Sequence, residues 1–180
     1  MKKLSILIPT IEGREKWLTR ILERLEPQRT GDVEILVNKD GRQKSIGEKR
    51  NELLEQSESD YVAFVDDDDL VSLDYVSRIV SAVETRPDCV GMEGIITFDG
   101  KRPQKFIHSL RYTSWYEKDG VFYRNPNHLS PVKRELALQV KFPYINNGED
   151  HDYSKRLLPL LKTEVYLDNP IYFYEFRSRK

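Results

Sequence analysis

The first 88 residues alternate between short apolar runs and segments in which apolar residues recur every three or four positions. Three almost wholly apolar runs predict strands that are covered on both faces: residues 4–8, 33–37 and 61–65. Helical spacing predicts helices after each of them, over residues 17–25, 45–56 and 73–83. A strand–helix unit that occurs three times predicts a parallel sheet with right-handed crossovers.

Breaker and capping residues set the predicted ends of these elements. Pro9 and Thr10 end the first strand, and Pro27 ends the first helix. Ser45 followed three positions later by Glu48 has the form of a capping box, which opens the second helix. These positions favour compact strand–helix units with short connections.

The pattern changes after residue 88. We predict a strand, an aromatic and turn-rich stretch, a short helix, a second helix and two closing strands, over residues 89–98, 100–127, 131–140, 150–161, 165–167 and 171–176. The predicted fold class is α/β, a Rossmann-like, mostly parallel sheet with helices on both faces and an α+β C-terminal elaboration. The length predicts a single domain over residues 1–180.

Charge and cysteine content narrow the class of protein. Lys and Arg number 29 against 30 Asp and Glu, which argues against a constitutive nucleic-acid binder but not against an enzyme that visits one. The single cysteine, Cys89, excludes an internal disulfide and a Cys-based zinc site. No apolar run is long enough to span a membrane, and the first apolar stretch is too short for a signal peptide. We therefore expect no stable membrane insertion and a cytoplasmic location.

Polar residues follow all three predicted strands at their carboxyl ends, where parallel sheets bind ligands. The topology should bring Thr10, Asp40 and the aspartates of residues 66–69 to one rim. In extended backbone, Asp66 and Asp68 would face one side and the other two aspartates the opposite side.

The acidic run, residues 66–69, is the sharpest chemical signal in the chain. Adjacent carboxylates at ~4 Å repel by about 4 kcal/mol at an effective dielectric of about 20. A divalent cation removes this repulsion, and carboxylate oxygens suit Mg²⁺ or Mn²⁺. A solvated acidic turn that caps the next helix is the structural alternative.

Four segments in this order resemble glycosyltransferase family 2: SILIPT, VNKDG, SIGEKRNELLEQSESDYVAFVDDDDLVSLDYV and NNGEDHDYSKRL. The resemblance covers roughly residues 4 to 158. It implies the GT-A fold, with residues 1–88 as a nucleotide-binding half and residues 89–180 as an acceptor-side half. It also implies transfer of a sugar from a nucleoside diphosphate to an acceptor hydroxyl, with inversion at the anomeric carbon and a requirement for Mg²⁺ or Mn²⁺.

Site residues follow from this resemblance position by position. The nucleotide would contact Pro9, Thr10, Asp40, Arg50, Asn51, Asp66 and Asp67. Of these, Thr10 lies along the base, Asp40 hydrogen-bonds it, and Arg50 and Asn51 help to hold the nucleotide. The alternatives are a plain turn position for Asp40 and a surface pair between Arg50 and Glu55 or another acidic residue.

The metal and the catalytic base are assigned in the same way. The cation would be held by Asp68, Asp66 and a histidine. We predict that this histidine is His128, and His151 is the other candidate. Glu149 and Asp150 match the acidic pair near the acceptor, with Asp150 as the base. A positioned carboxylate that takes the acceptor proton contributes typically 10²–10⁴-fold. The alternative for Asp150 is a helix N-terminal acid, with Asn147 as the cap.

The resemblance specifies the type of reaction more closely than it specifies the donor and the acceptor. UDP-sugars are the commonest donors in the family, and the acceptor is a glycan, a lipid-linked sugar or a hydroxyl on a modified nucleobase. The basic tail, residues 177–180, is either a frayed terminus or a contact for diphosphate or an anionic acceptor. The rival functions are a nucleotidyltransferase on a related fold and a binding module that holds a nucleotide sugar without transferring it.

Overall fold

The structure is a computed structural model that describes residues 2–177. Ten strands and five α-helices form within these residues. In chain order they are β1 (Lys2–Ile11), α1 (Glu15–Leu25), β2 (Val33–Asp40), α2 (Ile46–Gln56), β3 (Ser59–Phe64), β4 (Leu70–Val71), α3 (Tyr75–Val83), β5 (Cys89–Phe98), β6 (Lys101–His108), β7 (Tyr116–Lys118), β8 (Val121–Arg124), β9 (Val132–Lys133), α4 (Arg134–Val140), α5 (Glu149–Leu157) and β10 (Glu164–Phe176).

The strands form one sheet whose first half is parallel, as predicted. β1 lies between β2 and β3, and Leu4 pairs with Val33 on one side and Tyr61 on the other. The short strand β9 is antiparallel to both β3 and β5 and connects the two halves. β5 then pairs with β10 in parallel and with β6 antiparallel, and β8 and β7 complete that edge.

Two hydrophobic clusters place helices on both faces of the sheet. Alternate residues of β1 point to opposite faces: Leu4, Ile6 and Ile8 join one cluster and Leu7 the other. The first cluster includes buried residues of α1 and α3, and the second those of α2, α4 and α5. Burial on both faces explains why the first strand reads as a continuous apolar run.

Several element boundaries differ from the sequence prediction. β1 continues past Pro9 to Ile11, because it still pairs with β2 there. Leu73 precedes α3 and is 77% exposed, so it is not part of the helix's apolar face. The two closing strands are one strand, β10, which continues through a register irregularity near Pro170. Here Asn169 has a left-handed φ of 67°.

The aromatic stretch that was predicted to be rich in turns contains three strands. β6, β8 and β7 lie there, and turns with left-handed residues connect them. Cross-strand pairing between distant positions stabilises these strands, and local sequence patterns do not report such pairing. Among residues 2–177, no helix is both long and apolar enough to cross a membrane.

Candidate active site

A large cavity of about 770 Å³ opens at the carboxyl ends of β1, β2 and β3. Its wall carries five cationic and three anionic side chains: Arg14, Arg42, Lys44, Lys49 and Arg50 against Asp66, Asp67 and Asp68. Pro9 and Thr10 line it too. The topology therefore brings Thr10 and the aspartates 66–68 to one rim, with a cationic excess that suits a diphosphate.

The acidic run forms a turn, which corrects the expectation of an extended, alternating arrangement. The Asp69 N–H donates to the Asp66 carbonyl oxygen at 3.1 Å. Asp69 points away from the cavity: it accepts hydrogen bonds from the Tyr172 hydroxyl at 2.8 Å and the Glu175 N–H at 2.9 Å. Burial and the charge of Asp66 raise the pKa of Asp69 well above its usual value. Asp69 is therefore a structural residue.

Asp67 and Asp68 share one cationic partner, Arg14. Its Nη2 atom lies 2.7 Å from an oxygen of each carboxylate. Asp67 also accepts a hydrogen bond from the Thr10 hydroxyl, and Asp68 pairs with Arg177 Nη1 at 3.2 Å. Burial raises the pKa of Asp67, although the Thr10 hydrogen bond and the charge of Arg14 oppose that rise. Arg14 was not predicted as a site residue, because nothing in the sequence around it indicates a partner, Asp67, 53 residues away.

Arg50 is buried and bridges the end of β3 to the start of α5. Its side chain is 3% exposed and pairs with Asp66 Oδ1 at 3.0 Å and with Glu149 Oε1 at 3.1 Å. Burial alone would raise the pKa of Asp66, but the charge of Arg50 and the hydrogen bonds of Asp66 outweigh it and lower that pKa. The alternative surface pair with Glu55 is wrong, since Glu55 pairs with Lys141.

Asp40 lies behind the cavity rim and anchors a buried lysine. Asp40 Oδ1 is 2.7 Å from Lys49 Nζ, which also donates to the Thr10 carbonyl oxygen at 2.9 Å. Burial opposes ionisation of Asp40, but the hydrogen bonds from Lys49 and the Lys44 N–H lower its pKa. Lys49 was missed in the sequence because one charged residue among many on a helix gives no sign of burial.

Asn51 is placed away from both cavities, contrary to the expected contact with nucleotide. Its side-chain amide donates to the Phe142 carbonyl oxygen at 2.8 Å and accepts from the Phe142 N–H at 2.8 Å. Both polar ends of the amide are therefore used to hold the backbone after α4. Asn51 therefore supports the segment of residues 141–148, which we call the 141–148 loop.

The 141–148 loop caps the first turn of α2. Asn146 Oδ1 accepts from the Ile46 N–H at 2.9 Å, and the Ile145 carbonyl accepts from the Gly47 N–H at 3.3 Å. Ser45 Oγ accepts from the Glu48 N–H, as the capping-box prediction requires. Asn146 lines both cavities, so these contacts fix the position of a residue that lies between the two cavities.

We expect Gly47→Ala to destabilise the protein, although alanine is otherwise the better helix former. A Cβ atom at Gly47 would lie 1.8 Å from the Pro143 carbonyl oxygen, so the loop must move. Overpacking costs roughly 1–3 kcal/mol, which lowers Tm by roughly 2–10 °C. Gly31→Ala is the matched control, since nothing lies within 4 Å of its Cβ. Equal Tm values for the two variants would contradict the contact.

A second, smaller cavity of about 210 Å³ lies on the α5 side of Arg50. It shares Arg50, Asp66 and Asn146 with the large cavity, and Glu149 and Asp150 line it. α5 begins after Gly148, which has a left-handed φ of 83°. Asp150 lies in the first helical turn, but the alternative in which Asn147 caps the helix is wrong, since no side chain of the described residues caps it. The two cavities thus meet at the pair of Arg50 and Asp66.

Of the three acidic residues at the start of α5, Asp150 is best placed to accept a proton. Glu149 is paired with Arg50, and Asp152 is exposed and paired with Arg156. Asp150 lines the small cavity and, among residues 2–177, pairs with no lysine or arginine. Its oxygens accept from the His151 N–H at 2.8 Å and lie 3.9 Å from His128 Nδ1.

His128 lies between the carboxylates of Asp66 and Asp150. It is 7% exposed, its Nε2 atom lies 3.5 Å from Asp66 Oδ2, and neither ring nitrogen has a hydrogen-bond partner. His151 instead packs edge-on against Trp115, with ring centroids 4.8 Å apart. Of the two candidate histidines, His128 is therefore the one near the acidic run.

The donor set suits Mg²⁺ or Mn²⁺ in chemistry. Asp66 and Asp68 offer carboxylate oxygens, and His128 offers an unpartnered nitrogen. No three His, Cys, Asp or Glu side chains of the described chain are arranged to hold a metal ion. To bind a cation, Asp68 would have to give up its ion pairs with Arg14 and Arg177. Residues 178–180 of the predicted basic tail lie outside the described part.

Comparison with known proteins places the chain in a family. The model of glycosyl transferase family 2 matches residues 42–137, which include α2, the acidic run and β9. Glycosyltransferase GlyA of Streptococcus pneumoniae serotype 4 is 22% identical over 216 aligned residues. The alignment covers 98% of this chain and 31% of GlyA, so the chain spans about a third of that relative's length.

Solved structures share the fold. S. aureus TarS 1-349 in complex with UDP superposes with a TM-score of 0.75 at 18% identity, covering 97% of this chain and 60% of that one. TarS 1-349 in complex with UDP-GlcNAc gives a TM-score of 0.73 at 17% identity, covering 99% and 60%. The predicted α/β architecture of GT-A type is confirmed. With the family model matching more than half of its length, this chain belongs to glycosyltransferase family 2.

Proposed function

We propose that this chain transfers a sugar from a UDP-sugar to an acceptor hydroxyl, with inversion at the anomeric carbon and dependence on Mn²⁺ or Mg²⁺. One observation carries the proposal. The large cationic cavity meets the small cavity at the buried pair of Arg50 and Asp66, and the small cavity contains Asp150, which pairs with no lysine or arginine of residues 2–177. TarS, which has the same fold, is described in complexes with UDP and UDP-GlcNAc.

The two cavities separate the leaving group from the base. Inversion requires the hydroxyl to attack from the side opposite the departing diphosphate. The large cavity would hold the nucleotide and diphosphate, with Arg14 and Arg42 near the phosphates. Asp150, in the small cavity, would take the proton of the acceptor hydroxyl as the hydroxyl attacks. A positioned base on the far side of the sugar fits this geometry.

Side chains around the two cavities prepare the site for that step. Arg50 holds Asp66 and Glu149 in place, so neither carboxylate competes for the acceptor proton. Asp66, Asp68 and His128 would hold the cation, which when bound would stabilise negative charge on the diphosphate. Arg14 balances Asp67 and Asp68 when no cation is present. The acceptor itself remains a glycan, a lipid-linked sugar or a hydroxylated nucleobase, and the cytoplasmic location stays a prediction.

Thermal shift with nucleotides tests this proposal. We expect UDP with Mn²⁺ at about 100 times its Kd to stabilise the chain by about 2.7 kcal/mol, which raises Tm by roughly 5–10 °C. EDTA should reduce the shift. Asp68→Asn should lose the Mn²⁺-dependent part, whereas Asp168→Asn, at a side chain that is 86% exposed, should keep it.

Two results would reject the proposal. One is the absence of any shift with nucleotide in folded protein. The other is release of pyrophosphate instead of nucleoside diphosphate when an acceptor is supplied, because pyrophosphate is the product of a nucleotidyltransferase. Binding without either product would favour a module that holds a nucleotide sugar without transferring it.

A further inference from the structure

The small cavity contains an arginine that forms no direct ion pair within residues 2–177. Arg124, at the end of β8, lines it, and within residues 2–177 its guanidinium has neither an ion pair nor a hydrogen bond. It lies over the Trp115 ring, 4.5 Å from the centroid. Stacking on an aromatic face leaves the N–H groups of a guanidinium available for a ligand in its plane. Burial lowers the pKa of Arg124, although the charge of Asp150 opposes that shift.

Two buried histidines share this wall. His108 is fully buried and pairs in register with Arg124 across β6 and β8. Among the described residues neither ring nitrogen of His108 has a hydrogen-bond partner, and those of His128 make no hydrogen bond but lie 3.5 Å from Asp66 and 3.9 Å from Asp150. Burial and the charge of Arg124 lower the pKa of His108 well below its usual value, so this ring is neutral. Unpartnered buried polar groups are costly, which indicates that a polar ligand completes this wall.

Two charged side chains of the cavity make no ion pair with an arginine, lysine, aspartate or glutamate among residues 2–177. Arg50 is balanced by Asp66 and Glu149. Asp150 and Arg124 attract each other but are not within ion-pair distance, so the N–H groups of Arg124 stay available. In the proposed reaction Asp150 faces the acceptor hydroxyl. Arg124 therefore has a separate task, and a guanidinium recognises planar carboxylates with two parallel hydrogen bonds.

The size and floor of the cavity suit a single sugar ring. Its volume is about 210 Å³, and Ile96, Phe106 and Phe122 provide an apolar surface. Phe106 and Phe122 pair in register two positions before His108 and Arg124, and so lie on the same face of the sheet. A pyranose ring can pack its apolar face on these side chains and direct a polar substituent at Arg124. Phosphate groups are better accommodated in the large cavity, where the other cations cluster.

We propose that the small cavity binds a sugar unit that carries a carboxylate, a hexuronate, and that Arg124 recognises this carboxylate. This inference rests on the proposed function and specifies its substrate class. The hexuronate is either the transferred sugar or the acceptor unit, since both meet in this cavity. The experiment below separates the two sources with matched ligand pairs.

The donor arm compares UDP-glucuronate with UDP-glucose, which differ only in the carboxylate. We expect the wild-type protein to bind UDP-glucuronate at least about tenfold more tightly by titration calorimetry, as for a charged hydrogen-bonded contact. Arg124→Gln should remove this preference and leave the Kd for UDP unchanged. Arg124→Lys keeps the positive charge but lacks the paired N–H donors of the planar guanidinium, so it should retain part of the preference.

The acceptor arm compares methyl glucuronide with methyl glucoside in the presence of UDP. A preference for the glucuronide that Arg124→Gln abolishes would assign the hexuronate to the acceptor. Arg111→Gln is the control, because Arg111 is exposed and stacks on Tyr166, 4.3 Å from the ring centroid, away from the cavity. It should leave both preferences intact.

Three outcomes would overturn the inference. Equal affinities within both ligand pairs would show that no carboxylate is recognised. A preference that survives Arg124→Gln would show that another residue recognises it. Tighter binding of glucose 6-phosphate than of either glucuronide would assign the site to phosphate. Failure of UDP to bind would count against the proposed function instead, and the glycoside pair measured without UDP would still test the cavity.

Discussion

Asp150→Asn should lower kcat for sugar transfer by roughly 10²–10⁴-fold, the usual contribution of a positioned general base. The amide keeps the shape of the carboxylate but cannot take the acceptor proton. Asp150 lies outside the large cavity, so the Kd for UDP should stay unchanged. Transfer assayed with a saturating acceptor, together with UDP titration, separates the two effects.

Asp152→Asn is the matched control for this prediction. Asp152 belongs to the same helix turn, is exposed, and pairs with Arg156 outside the cavity. We expect its kcat to match that of the wild type. If Asp150→Asn transferred sugar at the wild-type rate, the base would be another group. Equal losses in both variants would indicate damage to α5.

Arg50→Met should destabilise the protein by about 3–5 kcal/mol, because it leaves two largely buried carboxylates without their cation. Asp66 and Glu149 are its partners, and all three side chains are at most a quarter exposed. For a domain of this size the loss corresponds to a Tm decrease of about 6–20 °C. Thermal unfolding monitored by circular dichroism measures it.

The pH dependence of that loss gives a second test of the cause. The pKa of Asp66 is lowered in the folded protein, so its ion pair contributes stability above the unfolded value of about 3.9 and loses it as pH falls. The difference in stability between wild type and Arg50→Met should therefore narrow below about pH 4. A constant difference would point to lost packing against Phe64 and Phe142 instead.

Arg29→Met serves as the stability control. Arg29 and Glu26 form an exposed pair at 3.5 Å, and such pairs contribute about 0–1 kcal/mol. We expect little change in Tm. A loss as large as that of Arg50→Met would show that the assay does not distinguish buried from exposed ion pairs.

Local sequence patterns predicted the parallel half of the sheet well. β1, β2 and β3 are continuous apolar runs because both faces are covered, and helical spacing marks α1 and α2 between them. The rule that ligands bind at strand carboxyl ends placed Thr10 and the acidic run at one rim, where the cavity is found. These features depend on neighbours in the chain, so a single sequence contains them.

Other features were beyond such patterns. The strands β6, β7 and β8 form through pairing with distant residues. The acidic run forms a turn whose side chains contact Arg14, Tyr172 and Arg177, all of them far away in the chain. Asn51 was expected near the nucleotide and instead holds Phe142. In each case a partner many residues away decides where a polar side chain points.

The sequence by itself determined the strand–helix order of the parallel half, the family resemblance and the identity of the acidic residues. Only the tertiary structure decided which of those acids is balanced by a cation. Within residues 2–177, Arg50 neutralises Asp66 and Glu149, Asp150 has no lysine or arginine partner, and Arg124 faces the same cavity without a direct ion pair. The physical reason is that hydrophobic periodicity is a local property, whereas pairing of buried charges depends on distances between residues far apart in the chain.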